Sequence, residues 1–199
     1  MRTMHLRWRC APGRRGHGPR EVGSGSHTPR HFILSTQYSV LSTLLIVLAL
    51  AACGPAPAAK LGSPAPDFTL KTPDGSTVQL AQLKGKPVWI NFWATWCVPC
   101  REEMPAMQEL YEQQYRDKGL VILAVNMEED NATVQRWIDS GGYSFTFVLD
   151  SDGQQVKRYN VKAAPTSYFV GRDGVIQDQK LGQISRTEMV SKLDKLLGG

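Results

Sequence analysis

Between Val88 and Trp93 the chain reads VWINFW, apolar at five of six positions and without alternation. A strand covered on one face alternates apolar with polar residues, so this run predicts a central strand buried on both faces. Leu120 to Asn126 (LVILAVN) repeats the pattern. Between the two, Val98 to Asp117 changes period: Met104, Met107, Leu110, Tyr111 and Tyr115 fall on one side of a helix, which Pro105 is expected to kink and Gly119 to end. Strand, helix, strand predicts a right-handed parallel crossover and an α/β class.

The remaining pattern extends that sheet. Gly62 to Leu70 and Thr77 to Leu80, joined by the turn residues Thr72-Pro73-Asp74-Gly75-Ser76, predict an N-terminal hairpin. Asp130 or Asn131 can cap a helix running to about Ser140 and stopped by Gly141-Gly142, followed by a strand from Phe145 to Leu149 and a short helix from Gln154 to Tyr159. Pro165 opens an apolar strand that Arg172-Asp173-Gly174 turns back into Val175 to Leu181, an antiparallel pair at a sheet edge. An amphipathic helix from Ser185 to Leu197 follows, with Val190, Leu193, Leu196 and Leu197 on one face.

Charge changes the picture at the N-terminal end. Residues 1–52 hold seven arginines, no lysine and a single acid, whereas residues 53–199 hold 16 basic and 17 acidic residues. The positive balance of the whole chain therefore belongs to its first part, and the folded part has no cationic excess with which to neutralise phosphates; a nucleic-acid partner is not expected. Val40 to Ala52 is an uncharged run of thirteen residues behind an Arg-rich stretch, the form of a secretory signal. It is shorter than the about 20 residues a spanning helix needs, although extension back to Phe32 reaches that length with polar residues included, so an uncleaved anchor stays open. Leu50-Ala51-Ala52-Cys53 resembles a bacterial lipobox, which implies a thioether-linked lipid on Cys53 and a membrane tether outside the cytoplasm. The expected organisation is a disordered basic leader with its signal over 1–52, a Pro/Ala tether over 53–60, and one folded domain over 61–199.

The chemistry lies in Trp96-Cys97-Val98-Pro99-Cys100, between the first central strand and the helix. A cysteine in the first turn of a helix faces unpaired backbone N–H groups and the positive end of the dipole, which favour thiolate over thiol. Cys97 is the candidate nucleophile. Cys100, one turn on, is close enough to form a disulfide with Cys97 and suits attack on a mixed disulfide, so it is the resolving candidate. Pro99 costs little at an early helical position and stiffens the ring that the disulfide closes. The other cysteines are Cys10 and Cys53, and the four histidines all precede residue 32, so a zinc site on the CxxC would lack its second pair of ligands. No metal and no cofactor beyond the redox disulfide are expected.

The CxxC at a strand-to-helix junction, with Ala164-Pro165-Thr166 ahead of a hairpin and a final helix, resembles the thioredoxin fold over roughly residues 61 to 197. The PDFTL hairpin, the run NFWATWCVPCREEMP and an extra helix and strand in the middle of the domain resemble the membrane-tethered TlpA/ResA/CcmG branch. That resemblance implies a thioredoxin-like α/β fold with a central mixed sheet flanked by helices, an N-terminal β-hairpin and a central αβ insertion. It implies that Pro165 is a cis-proline facing the disulfide, that Ala164 and Thr166 line the same groove, and that Trp96 shapes the client-docking surface. Thioredoxin has a buried aspartate where this chain has Asn91, and the resemblance assigns the proton relay instead to Glu103, with Glu102 a solvated first-turn acid. A carboxylate near the pair can take the proton of Cys100 and opposes thiolate formation at Cys97. A pair so biased favours its disulfide and acts as a reductant. The implied function is an extracytoplasmic thiol-disulfide oxidoreductase that reduces client proteins such as apocytochrome c and is recharged by a membrane thiol electron donor.

Two alternatives share the fold. A thiol peroxidase needs Ser or Thr three residues before the reactive cysteine and Pro four residues before that, and Ala94 and Ile90 stand there. A copper carrier of the Sco type uses CxxxC with a distant histidine, where this chain has CxxC and no histidine beyond His31; two thiolates could still bind copper(I).

Overall fold

The computed structural model describes residues 58–198. The leader and signal expected over 1–52, and the lipidation expected at Cys53, lie outside the described residues. Thr69–Lys71 (β1) and Thr77–Gln79 (β2) pair antiparallel as the expected hairpin. Its turn is closed by Thr72 and Ser76 backbone bonds and passes through Gly75 at φ 87°, a conformation glycine adopts without steric cost. The succeeding elements are β3 (Val88–Trp93), α1 (Val98–Leu110), β4 (Val121–Met127), α2 (Asn131–Gly141), β5 (Thr146–Asp150), α3 (Gln154–Arg158), β6 (Thr166–Val170), β7 (Ile176–Leu181) and α4 (Arg186–Gly198). The strands form one mixed sheet in the order β2-β1-β5-β4-β3-β6-β7, a thioredoxin-like α/β arrangement in which α2 and β5 are the central insertion.

Every residue of β3 is buried, polar Asn91 included, as expected of a strand covered on both faces. Trp89 and Trp93 belong to a core with α1, α2 and α4, while Val88, Ile90 and Phe92 belong to a second core on the other face with the hairpin and α3. β3 runs parallel to β4 and antiparallel to β6. α2 is capped by Asp130, whose carboxylate accepts from Thr133 N and Thr133 Oγ1 at 2.9 and 2.7 Å, and it ends at Gly142 with φ 65°.

One expectation is corrected. The helix expected through Asp117 is regular only to Leu110, after which Tyr111–Tyr115 forms a wider turn that brings Arg116 N to Tyr111 O at 2.8 Å. Residues five apart then share a face, so Leu110 and Tyr115 are both buried and Tyr115 Oη donates to Asp194. α1 is continuous through Pro105, which lies on its exposed side. In α4 the fully buried positions are Met189, Leu193 and Leu196, and Val190 and Leu197 pack at the margin.

Candidate active site

β3 delivers the chain into the sequence Thr95-Trp96-Cys97 at the carboxyl end of the sheet, and α1 begins directly after it. Cys97 is the N-cap of α1, its Sγ accepting from Cys100 N at 3.3 Å, with Val98 and Pro99 in the first turn. Cys97 and Cys100 form a disulfide, with their Cα atoms 5.3 Å apart. Cys97 retains 4 % exposure and Cys100 none, so the outer sulfur is the one that presents itself to a client and the inner one waits behind it. Trp96 is 66 % exposed and Val98 51 %, two large apolar side chains standing in solvent beside the reactive sulfur.

The Ala164–Pro165 peptide is cis. Thr166 pairs with Phe92 across β3 and β6, so this peptide lies at the end of the sheet where β3 runs out toward the cysteines. Ala164 packs against the core cluster that contains both cysteines. Thr166 differs from the expectation: its side chain is buried and its hydroxyl donates to Ala163 O at 2.6 Å, holding the cis turn rather than lining a groove. Leu181, its partner on β7, is exposed, and Gly182 N donates to Pro165 O.

Glu103 lies one turn beyond Cys100 on the inner face of α1 and is 2 % exposed. Its Oε1 accepts from Asn91 Nδ2 and its Oε2 from Ile184 N, both at 2.9 Å. Burial outweighs these two donors and pushes the carboxyl up to about 7. Glu102 is exposed, as expected of a solvated acid. The helix face thus separates two adjacent glutamates into one that meets water and one that meets the core beside Cys100.

Sequence reading missed Glu129. Its carboxylate accepts from Thr95 N at 2.7 Å, Thr95 Oγ1 at 2.5 Å and Asn126 Nδ2 at 2.7 Å, pinning the residue that precedes Trp96. The turn that brings it there passes through Glu128 at φ 58°, left-handed and uncommon for a non-glycine residue. In sequence it stands inside Glu128-Glu129-Asp130, which reads as surface charge. The available signal was its place just past the carboxyl end of a central strand, where sites of open α/β sheets gather. Among the described residues no cluster of His, Cys, Asp and Glu is arranged to hold a metal ion.

The family profile described as Redoxin matches residues 60–197. The chain belongs to the Redoxin family. This redoxin is 44 % identical over 136 residues to the thioredoxin-like protein YneN of Bacillus subtilis, covering 67 % of this chain and 78 % of that one. It is 40 % identical over 143 residues to the thiol-disulfide oxidoreductase ResA of Oceanobacillus iheyensis, covering 70 % of each. Among solved structures it resembles the DsbE thiol:disulfide interchange protein of Chlorobium tepidum, with 31 % identity, a TM-score of 0.67, and coverage of 71 % of this chain and all of that one. The redoxin is a thiol-disulfide oxidoreductase of the ResA and DsbE type.

Proposed function

We propose that this redoxin works outside the cytoplasm as a reductant of protein disulfides, with Cys97 as nucleophile, Cys100 as resolving thiol and Glu103 as proton acceptor. The carrying observation is the buried carboxyl of Glu103 one helical turn past Cys100, pushed up to about 7 by burial. In the reduced protein the Cys97 thiolate attacks one sulfur of a client disulfide, forming a mixed disulfide and releasing the client's other sulfur as a thiolate that takes a proton. Cys100 then passes its proton toward Glu103 and attacks Cys97 Sγ. The Cys97–Cys100 bond forms, the second client thiol leaves, and two electrons have passed to the client. An acid that shares the neutral range with thiols can take and return that proton at physiological pH.

Trp96, Val98 and Ala164 are the docking surface in this reading, with the backbone around cis-Pro165 receiving an extended polypeptide. The client class is an apocytochrome c with oxidised CxxCH cysteines, supported by the likeness to the ResA and CcmG branch. The basic leader, the apolar run and the Leu-Ala-Ala-Cys53 sequence support attachment to a membrane through lipidated Cys53, close to a membrane thiol donor that returns the pair to the dithiol. No cofactor is needed, since both electrons reside in the two sulfurs. Among the described residues no helix is long and apolar enough to cross a membrane.

The test is direction. The reduced protein is mixed with an oxidised CxxCH peptide, and free thiols on each partner are followed by alkylation and mass. Reduction of the peptide with matching oxidation of Cys97–Cys100 supports the reading; a net flow of disulfide to a reduced peptide contradicts it.

A further inference from the structure

Three buried side chains beneath the redox pair form a connected line that the exchange reaction leaves unused. Asn91 Nδ2 donates to Glu103 Oε1 at 2.9 Å and to Ser167 Oγ at 3.1 Å, and Ser167 Oγ also accepts from Trp89 Nε1 at 2.9 Å. Asn91 and Ser167 are cross-strand partners on β3 and β6, and Trp89 shares their face. Trp89 and Asn91 are fully buried and Ser167 nearly so. Two ends of the line are loose. Asn91 Oδ1 has no hydrogen-bond partner, and the Ser167 hydroxyl, which accepts two N–H groups, donates its own proton to no group among the described residues.

Adding a proton to Glu103 makes sense of both. Its Oε2 faces the Ile184 N–H, a donor fixed in the backbone, so the proton belongs on Oε1, opposite the Asn91 amino group. Two donors would then face each other. Half a turn of the Asn91 amide about Cβ–Cγ puts Oδ1 in that place, where it accepts from the Glu103 O–H and from the Ser167 O–H together. Before the turn the far end of the amide is an unpartnered oxygen; afterwards it is an unpartnered amino group. The rotation therefore gives up no hydrogen bond at that end, and the amide keeps two bonds, one to Glu103 and one to Ser167, in either orientation. An aspartate at 91 would bring a second charge, and an apolar residue would serve neither state of Glu103.

We propose that Asn91, supported by Ser167, is a positioning residue that follows the proton of Glu103, donating to the carboxylate and accepting from the carboxylic acid. This rests on the reading of Glu103 as the acid of the exchange. The other groups near Glu103 are few. On α1 they are Cys100, here in its disulfide, and exposed Glu102, which meets Gln183 Nε2 at 3.5 Å. The loop after β7 offers the Ile184 N–H, and α4 adds apolar Met189 and Leu193 to the same core. No cation pairs with Glu103 among the described residues. Asn91 is thus the neighbour able to change its bond with the proton, and a carboxyl near neutrality suits a site that accommodates both of its forms.

The experiment is heteronuclear NMR on the oxidised full-length chain in mild detergent from pH 5 to 9. The Glu103 side-chain carboxyl carbon gives its titration. Above its midpoint the Asn91 Nδ2 protons are expected to show cross-relaxation with the Ser167 β-protons and Glu103 γ-protons; below it those cross-peaks fade severalfold and the Trp89 Nε1–H resonance shifts with the same midpoint. In Ser167→Ala the Trp89 signal no longer follows that titration. Asn91 cross-peaks that persist unchanged while Glu103 titrates overturn the proposal and leave the role of Glu103 standing. A Glu103 carboxyl that does not titrate, together with a Glu103→Gln variant that exchanges disulfides at the wild-type rate, overturns the reading beneath it and the proposal with it.

Discussion

Replacing Glu103 with Gln should flatten the pH dependence of folding stability, because the buried carboxyl binds its proton far more tightly in the folded protein than in the unfolded chain. Between an ordinary carboxyl value of 4.5 and the folded value of about 7, the folded state holds a proton that the unfolded state has released. Stability is therefore complete below pH 4.5 and is lost as pH rises through 7. At about 1.36 kcal/mol per pH unit this interval corresponds to about 3 kcal/mol. Little else interferes. The oxidised cysteines do not titrate, and no histidine lies beyond His31. The depressed carboxyls of Asp74, Asp130, Asp178 and Glu188 lose their contributions at more acid pH, and Asp150, raised by burial, is the same in both proteins. Urea unfolding of oxidised full-length protein at pH 5, 7 and 9 measures the effect. The stability difference between wild type and Glu103→Gln should change by about 2.5 kcal/mol in favour of the variant from pH 5 to pH 9, since part of the loss has already occurred at pH 5, or roughly 5 to 10 °C in Tm. Curves that run parallel for the two proteins would refute the argument that the carboxyl is held in a desolvated site.

Cys100→Ser should trap a client as a mixed disulfide on Cys97, visible on a non-reducing gel, and Cys97→Ser should trap none. Trp96→Ala, at an exposed position, should change stability by less than about 0.5 kcal/mol, yet slow exchange with a peptide disulfide while leaving a small disulfide such as oxidised glutathione unaffected; stopped-flow fluorescence separates the two rates. Glu129→Ala removes the acceptor of three hydrogen bonds around Thr95 and should cost about 1–3 kcal/mol in urea unfolding, with little loss for exposed Glu128→Ala. Met104→Ala opens a cavity under α1 and should cost about 2–5 kcal/mol by the same measurement.

The strands β3 and β4 were legible because burial on both faces leaves near-continuous apolar runs in place of alternation, each with a single asparagine, Asn91 and Asn126, and the CxxC was legible because its chemistry is confined to a short span between strand and helix. Cis-Pro165 followed from resemblance, since nothing in the composition of Ala164-Pro165-Thr166 distinguishes a cis bond from a strand-opening proline. The wide turn at Tyr111–Tyr115 was not legible: a helical periodicity summed over Val98 to Asp117 does not reveal one added residue per turn near its end. The burial of Thr166 is not legible because side-chain direction at a cis turn is set by the β6 register, which requires the partner strand. Glu129 escaped because the contact joins residues 34 apart through a left-handed turn at a non-glycine position. In sequence Asn91 marks only the place of thioredoxin's aspartate; its link to Ser167 arises from cross-strand pairing that no local pattern encodes.

The central claim is that this redoxin donates electrons, and its reduction potential tests that most directly. The full-length protein with Cys10 and Cys53 changed to serine is equilibrated against glutathione and dithiothreitol buffers, and the Cys97–Cys100 pair is read by thiol alkylation. A potential at or below that of thioredoxin, about −270 mV, is the expected result; a value near that of strong oxidants, about −120 mV, would make the protein a disulfide donor and contradict the role given to Glu103.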